Sequence, residues 1–283
     1  MDTPTPSLKP HVETFMRSLQ TRIITAFEGQ ETSGATFTRT PWSKQPHEAM
    51  QGGGITALMR AGTGPNAVFE KVGVNFSCVH GTFPPHFAKE IPGALESNGH
   101  FWACGVSLVA HMANPKCPSV HMNVRRIETS KGWFGGGADL TPTLVFPEDT
   151  AHFHTELAKP CESNRPGSYA EYKTWCDEYF FIPHRNEARG VGGIFFDYLD
   201  SGNPEADFTF VQNVGQAFLD AFVPLVAKRK AEPFTEADKH AQKLKRGRYA
   251  EFNLMYDRGT RFGLQSGGNV EAILMSLPPE AAW

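Results

Sequence analysis

The sequence predicts an α+β fold, a large, mostly antiparallel β-sheet with helices packed over it. Several strand-like runs are joined by hairpin-length loops, helices fall in blocks between them, and alternating β-α units do not persist. The chain has 283 residues, 40% of them hydrophobic and 22 of them Phe. That length can bury a sizeable core. With no internal repeat and no low-complexity linker, residues 1–283 read as a single domain.

The elements follow in order. Residues 8–28 carry Val12, Phe15, Met16, Leu19, Ile23 and Phe27 at helical period, and Gly29 supplies a stop. Residues 30–54 are polar and turn-rich and end in Gly52-Gly53-Gly54. This triplet reads as a flexible turn, because no G-K-[ST] follows it as in a phosphate loop. Strands are expected at 66–76 and 101–112. In the second, alternation puts Gly105, Ser107, Val109 and His111 on one face, open to a ligand. Cys104, Val106, Leu108 and Ala110 take the core face. A strand at 120–128 and a return strand from near Trp133 make an antiparallel hairpin. Helices are expected at 148–159 and 168–182, the second ended by Pro183. Residues 190–199 are a short apolar strand and 205–228 a long helix. Thr235 caps a further helix ending near Arg246-Gly247-Arg248. Residues 249–256 read as a last strand and 270–276 as a short helix.

The net charge of -3 provides no global field toward nucleic acid or membrane. The basic stretch 228–248 also carries Glu232, Glu236 and Asp238, which suits a solvated helix face better than a nucleic-acid patch. No stretch approaches the roughly 18 consecutive apolar residues of a bilayer span, so stable membrane insertion is not expected. The start, MDTPTPSLKPHVETF, lacks the charged and apolar regions of a signal peptide. Five cysteines, an odd number without C-x-x-C, read as free thiols in a reducing compartment. A cytoplasmic protein is expected.

The densest chemistry lies in VHMNVRRIETSKGWFGGGADLTP, residues 120–142. In a strand, His121, Asn123 and Arg125 share one face. His121 can move a proton near neutrality. Arg125 can grip a carboxylate with two parallel hydrogen bonds. Gly135-Gly136-Gly137 lets backbone approach a ligand closely and delivers Asp139 beside that face. The bland readings are an internal ion pair of Arg125 with Asp139 or Glu128, a neutral histidine bonded within the sheet, and a turn-capping Asp139. His152 and His154 are spaced by two and the other histidines are dispersed, with no H-x-x-x-H or H-E-x-x-H, so spacing alone gives a weak metal signal.

HMNVRR, KGWFGGGADLTP, CDEYFFIPHRNEARGVGGIFFD, RGRYAEFNLMYDRGTRFGLQSGG and ILMSLPP occur in this order between about Gly52 and Trp283. Together they resemble the oxygen-dependent coproporphyrinogen III oxidases. The resemblance implies a sheet with helices on both faces, a homodimer, and an enzyme of haem biosynthesis. That enzyme would convert two propionates of coproporphyrinogen III to vinyl groups, giving protoporphyrinogen IX. Molecular oxygen would be the oxidant, carbon dioxide and hydrogen peroxide would be released, and no organic cofactor would take part. The resemblance further implies that Arg125 with Asn123 holds a propionate, that Asp139 meets the pyrrole N–H groups, and that His121 is the proton donor. Ser107, Val124, Gly267, Gly268 and Asn269 match substrate-contact positions, and Arg261 is a candidate for another carboxylate. His111, His121, His154 and His184 match the positions proposed for a divalent metal in bacterial members, whereas other members are regarded as cofactor-free. Two departures stand out: Asn269 replaces an Arg of many bacterial relatives, and the sequence stops at Trp283, where relatives continue with a short tail. Two other readings stay open. A tetrapyrrole carrier would keep Arg125 without needing His121 or Asp139, and a metal-dependent oxygenase would rest on the histidines alone.

Overall fold

The computed structural model of the chain describes residues 7–45, 50–265 and 269–283. Helix α1 (Lys9–Glu28) precedes strands β1 (Thr38–Ser43), β2 (Met50–Met59) and β3 (Phe69–Thr82). A single helical turn, α2 (Pro85–Ala88), leads to β4 (His100–Met112), β5 (Ser119–Glu128) and β6 (Gly132–Thr141). Helices α3 (Pro147–Asn164) and α4 (Ser168–Tyr179) follow, then a two-residue pair, β7 (Phe181–Ile182) and β8 (Glu187–Ala188), and strand β9 (Gly192–Leu199). The remainder is α5 (Pro204–Arg229), α6 (Glu236–Met255), α7 (Arg258–Gln265), α8 (Val270–Ile273) and a 3-10 turn, Leu274–Ser276.

The main sheet has seven strands in the order β1-β2-β3-β4-β5-β6-β9. Every neighbouring pair is antiparallel. Helices lie on both faces, so the α+β architecture is as the sequence and the resemblance indicate. On one face, α1 packs against β3 and β4, and α5 against β5 and β6 with α3 behind it. Strand alternation supplies Val72, Val74 and Phe76 from β3, Val106 and Leu108 from β4, and Val120, Met122 and Val124 from β5 to that core. From α1, Val12, Met16, Leu19, Ile23 and Phe27 are fully buried at helical spacing. Burying each such large side chain contributes roughly 1.5–3 kcal/mol. The Phe-rich composition is spent here: Phe27 stacks on Phe69 at 4.9 Å and Phe134 on Phe208 at 5.8 Å. Helix α5 is the one described helix long and apolar enough to cross a bilayer by length and composition. Its apolar face, including Val211, Val214, Phe218 and Phe222, is instead packed in this core.

Three expectations are corrected. Gly52-Gly53-Gly54 is no flexible turn but the interior of β2. A Cβ at Gly53 would lie 2.3 Å from the Trp42 carbonyl oxygen, and one at Gly54 would lie 2.2 Å from that of Phe76. The glycines therefore permit close strand approach and seat the Trp42 ring. The helix expected at 168–182 stops at Tyr179, and Phe181–Ile182 is extended. Residues 249–256 are not a strand, since α6 runs on to Met255. Its buried Gln242, Arg246, Tyr249, Ala250 and Asn253 keep helical period throughout. Gly247 does not end the helix: a Cβ there would lie 2.3 Å from the Ala282 carbonyl oxygen, so the glycine admits the C-terminal stretch. Thr235 does cap α6, accepting from the Asp238 N–H at 3.2 Å, while Asp238 Oδ2 accepts from the Thr235 N–H at 2.8 Å.

Candidate active site

The face of the sheet opposite α1 and α5 carries the chemistry. Antiparallel register lines up Asn75, Ser107, Asn123 and Gly137 in one row across β3 to β6. A second row is Ser77, Gly105, Arg125 and Gly135, and a third contains Val109, His121 and Asp139. Small residues surround the few large polar ones, which leaves a depression. Helices α7 and α8 and the 3-10 turn wall it, closing a cavity of about 800 Å³. That volume lies within the range of sites for organic ligands. Lys44, Arg125, Arg189, Arg258 and Arg261 border it, against Glu90, Asp197 and Asp257. The lining is thus net cationic, although the whole chain is not. Among the described residues, neither Arg258 nor Arg261 is ion-paired.

One hydrogen-bonded chain crosses the floor. Arg125 pairs with Asp197 at 2.8 Å and donates to Asn123 Oδ1 at 2.7 Å. That fixes the Asn123 amide, whose Nδ2 then donates to His121 Nε2 at 3.2 Å. His121 Nδ1 consequently carries the proton and donates to Asp139 Oδ1 at 2.8 Å. Both Asp139 oxygens also accept from Arg189, at 2.8 and 2.7 Å. Asp139 and Arg189 are each only 2% exposed. Burial alone would raise the Asp139 carboxyl, but the Arg189 charge and the His121 hydrogen bond outweigh it and hold it below its ordinary value. Arg189 is itself enclosed by the rings of Phe180, Tyr249 and Phe252, with centroids at 3.9, 4.6 and 4.7 Å.

The structure therefore brings His121, Asn123, Arg125 and Asp139 together, with new partners. The ion pair of Arg125 is made with Asp197, not with Asp139 or Glu128. Glu128 is taken by Arg126 at 2.7 Å. Asp139 is 2% exposed, and its oxygens accept from Arg189 and His121 rather than facing the open cavity. Ser107 and Asn269 border the cavity. Asn269 caps α8 by accepting from the Ala272 N–H at 3.2 Å. Val124 also borders the cavity, but its side chain belongs to the core. Arg261 borders the cavity. Gly267 and Gly268 lie outside the described residues.

The four histidines do not converge on one centre. His111 is fully buried, with Nε2 against the Ser276 carbonyl oxygen at 2.9 Å. Burial above all, with the nearby charges of Arg246, Lys71 and Arg189, opposes protonation there, and those charges would equally oppose a cation. His154 is held by the Val191 carbonyl and the Tyr169 hydroxyl, at 3.0 and 2.7 Å. His184 is held by Glu251 and Tyr256, at 2.7 and 2.8 Å. Among the described residues, no three His, Cys, Asp or Glu side chains form a metal-ligating group. The residues present therefore do not fit the metal centre that the resemblance implies.

Sequence reasoning missed Arg189, Asp197 and Asp257. The first sits in the polar island His184-Arg185-Asn186-Glu187-Ala188-Arg189, and the second at the end of an apolar run. A lone charge closing an apolar strand was the available signal for Asp197. Asp257 accepts from the Tyr179 hydroxyl at 2.9 Å and from Thr260, which positions the start of α7 at the cavity.

A net-cationic cavity, floored by a sheet that holds a tautomer-fixed histidine, defines an α+β enzyme for an anionic organic substrate. Comparison with known proteins specifies the class further. Residues 11–283 match the family model described as Coproporphyrinogen III oxidase, and the chain belongs to that family. It is similar to the oxygen-dependent coproporphyrinogen-III oxidase of Rickettsia bellii (strain OSU 85-389), with 51% identity over 247 residues, 87% of this chain and 85% of the relative. It is also similar to the protein of that name from Rickettsia akari (strain Hartford), with 53% identity over 246 residues and the same two coverages.

Proposed function

We propose that the chain catalyses the oxygen-dependent oxidative decarboxylation of coproporphyrinogen III to protoporphyrinogen IX, a step of haem biosynthesis. The observation that carries this reading is the cationic cavity built on the family's own motif, with Arg125 and His121 on one floor. Each of two propionates loses its carboxyl group as carbon dioxide and a hydrogen with its electron pair from the carbon next to the ring. Oxygen takes the two electrons and, with one further proton, leaves as hydrogen peroxide, while the side chain becomes a vinyl group.

The residues divide this work. Arg125, oriented by Asp197 and Asn123, offers its remaining N–H groups to a propionate. Arg258 and Arg261 receive other carboxylates across the cavity. His121 has its Nε2 lone pair toward Asn123, so it is set to accept a proton rather than to give one. A substrate N–H displaces the Asn123 contact, and His121 takes its proton, making the ring more electron-rich toward oxygen. Asp139 stabilises the resulting imidazolium, and Arg189 keeps Asp139 ionised and in place, so both are positioning residues. No step is assigned to a metal, because the histidines do not assemble one centre.

The test is turnover of coproporphyrinogen III by the purified chain, in air and without oxygen. Vinyl product in air and none without oxygen is expected. Absence of vinyl product in air, with the substrate bound, would overturn the oxidase reading in favour of a carrier. We further propose a cytoplasmic homodimer. The five free cysteines support a reducing compartment, and exposed Leu254 and Met255 at the end of α6 support a covered apolar surface. Light scattering that gives a monomer mass at micromolar concentration would remove the dimer.

A further inference from the structure

Strand β9 slips in register against β6. Phe134 faces Leu199 but Gly136 faces Phe196, so Asp197 and Tyr198 together oppose Gly135. This is a β-bulge, a device that re-aims side chains beside functional sites. It has two consequences here. Asp197 reaches Arg125 at 2.8 Å. Tyr198 is forced to φ +53°, the left-handed region, while its N–H donates to Asp197 Oδ1 at 3.0 Å. For a bulky residue that conformation is strained, and such strain gathers at ligand sites.

The hydrogen bond to Asp197 needs only the backbone of Tyr198, which glycine or asparagine would provide without strain. The ring needs another explanation. It is 48% exposed, an unusual place for a large aromatic, and it borders the cavity. It lies on Trp133, with centroids 5.8 Å apart and planes tilted by 34°. Trp133 borders the same cavity and is nearly buried, so it forms a firm backing. The Tyr198 hydroxyl makes no hydrogen bond to a described residue. What faces the ligand is therefore a supported aromatic surface, one residue away in sequence from the carboxylate that orients Arg125.

We infer that Trp133 and Tyr198 form an aromatic subsite for one pyrrole ring of the substrate, the ring whose propionate is held by Arg125. This rests on the function proposed above. A pyrrole carrying its acid on a two-carbon arm presents an electron-rich flat face and an anion at short separation. The bulge sets Tyr198 next to Asp197, the partner of Arg125, and the ring and the guanidinium border the same cavity. Contact between aromatic rings adds to what the buried area alone contributes.

The experiment compares Tyr198→Asn, which tolerates the left-handed backbone and keeps the N–H but lacks the ring, with the conservative Tyr198→Phe. In the Asn variant KM for coproporphyrinogen III is expected to rise about three- to tenfold, with a smaller change in kcat and no loss of thermal stability. Tyr198→Phe is expected to restore the low KM. Quenching of tryptophan fluorescence by coproporphyrin III reads ring binding without turnover and is expected to weaken in parallel. An unchanged KM and unchanged quenching in Tyr198→Asn would overturn the subsite. A loss of stability accompanied by equal losses in kcat and in affinity would show a structural role instead, and would also overturn it. A chain that never forms vinyl product, yet shows quenching that depends on Tyr198, would sink the oxidase reading and leave the subsite standing.

Discussion

Asp139 illustrates how burial assigns work to a carboxylate. An exposed aspartate beside the cavity would be free to meet a substrate, whereas Asp139 is buried, bonded twice to Arg189 and accepting from His121. Removing it costs twice. Asp139→Ala leaves His121 without its orienting acceptor, and turnover is expected to fall by about 10²- to 10⁴-fold, the usual worth of a positioned proton-transfer group. It also leaves Arg189 buried and unpaired, so unfolding free energy is expected to drop by about 3–5 kcal/mol. Denaturant titration checks the second effect separately from kinetics. The double change Asp139→Ala with Arg189→Met is expected to recover part of the stability and none of the turnover. Equal recovery of both would remove Asp139 from the proton-transfer route. Arg125 offers the contrast. Its side chain is 30% exposed and already shares Asp197, so Arg125→Ala is expected to raise KM at least tenfold, about 1.4 kcal/mol, with little change in stability. A wild-type KM in that variant would take Arg125 out of the site.

At the level of elements, the glycine triplet of β6 separates function from folding. A Cβ at Gly135 would lie 2.5 Å from Asp197 Oδ1 and 2.8 Å from Arg125 Nη2, the ends of two flexible side chains. One at Gly137 would lie 2.2 Å from the Ile194 carbonyl oxygen, in backbone already at φ +156°. Gly135→Ala is therefore expected to displace the Arg125–Asp197 pair and raise KM while the protein stays folded. Gly137→Ala is expected to loosen the β6–β9 pairing and lower the melting temperature by several degrees, as a loss of about 1–3 kcal/mol would in a chain of this size. The two melting curves and the two KM values check this, and matching profiles would refute the distinction. The same strands show what was legible in advance. Hairpin β5–β6 was readable because period-two alternation places His121, Asn123 and Arg125 on one side whatever packs against them. Asp197 and Arg189 were not, because a bulge and a two-residue strand pair bring them in, and neither has a periodic signature. From sequence alone helix α6 ends too early, because Gly247 looks like a terminator when the C-terminal stretch it accommodates is not in view. Gly52-Gly53-Gly54 failed in the same way, since the need for close approach belongs to β1 and β3 and not to the triplet itself.

Across the whole molecule, the cavity wall formed by residues 270–277 is tied to the sheet by polar side chains of β3 and β4. Lys71 Nζ donates to the Leu277 carbonyl at 2.7 Å, Asn75 Nδ2 to that of Ala272 at 2.6 Å, and His111 Nε2 to that of Ser276 at 2.9 Å. These ties link the shape of the site to the protonation state of a core residue. His111 donates from Nε2, so its Nδ1 is unprotonated, and that atom is buried without a hydrogen-bond partner among the described residues. Burial above all, with the charges of Arg246, Lys71 and Arg189, pushes its pKa down to about 3. In the unfolded chain the imidazole returns to about 6.5. As pH falls through that value the unfolded state takes up a proton that the folded state refuses. Stability from this group is therefore complete above pH 6.5 and drains away as pH falls toward 3. The loss approaches roughly 1.4 kcal/mol per pH unit, or about 2 kcal/mol between pH 7 and pH 5. Few carboxylates titrate in that interval, so urea unfolding at pH 7, 6 and 5 isolates the histidines. His111→Gln, which keeps a donor for Ser276, is expected to be less stable than wild type at pH 7 but to lose about 2 kcal/mol less on the way to pH 5. Parallel pH dependence in the two proteins would show that His111 accepts a proton in the folded state and that the wall above it opens to admit one.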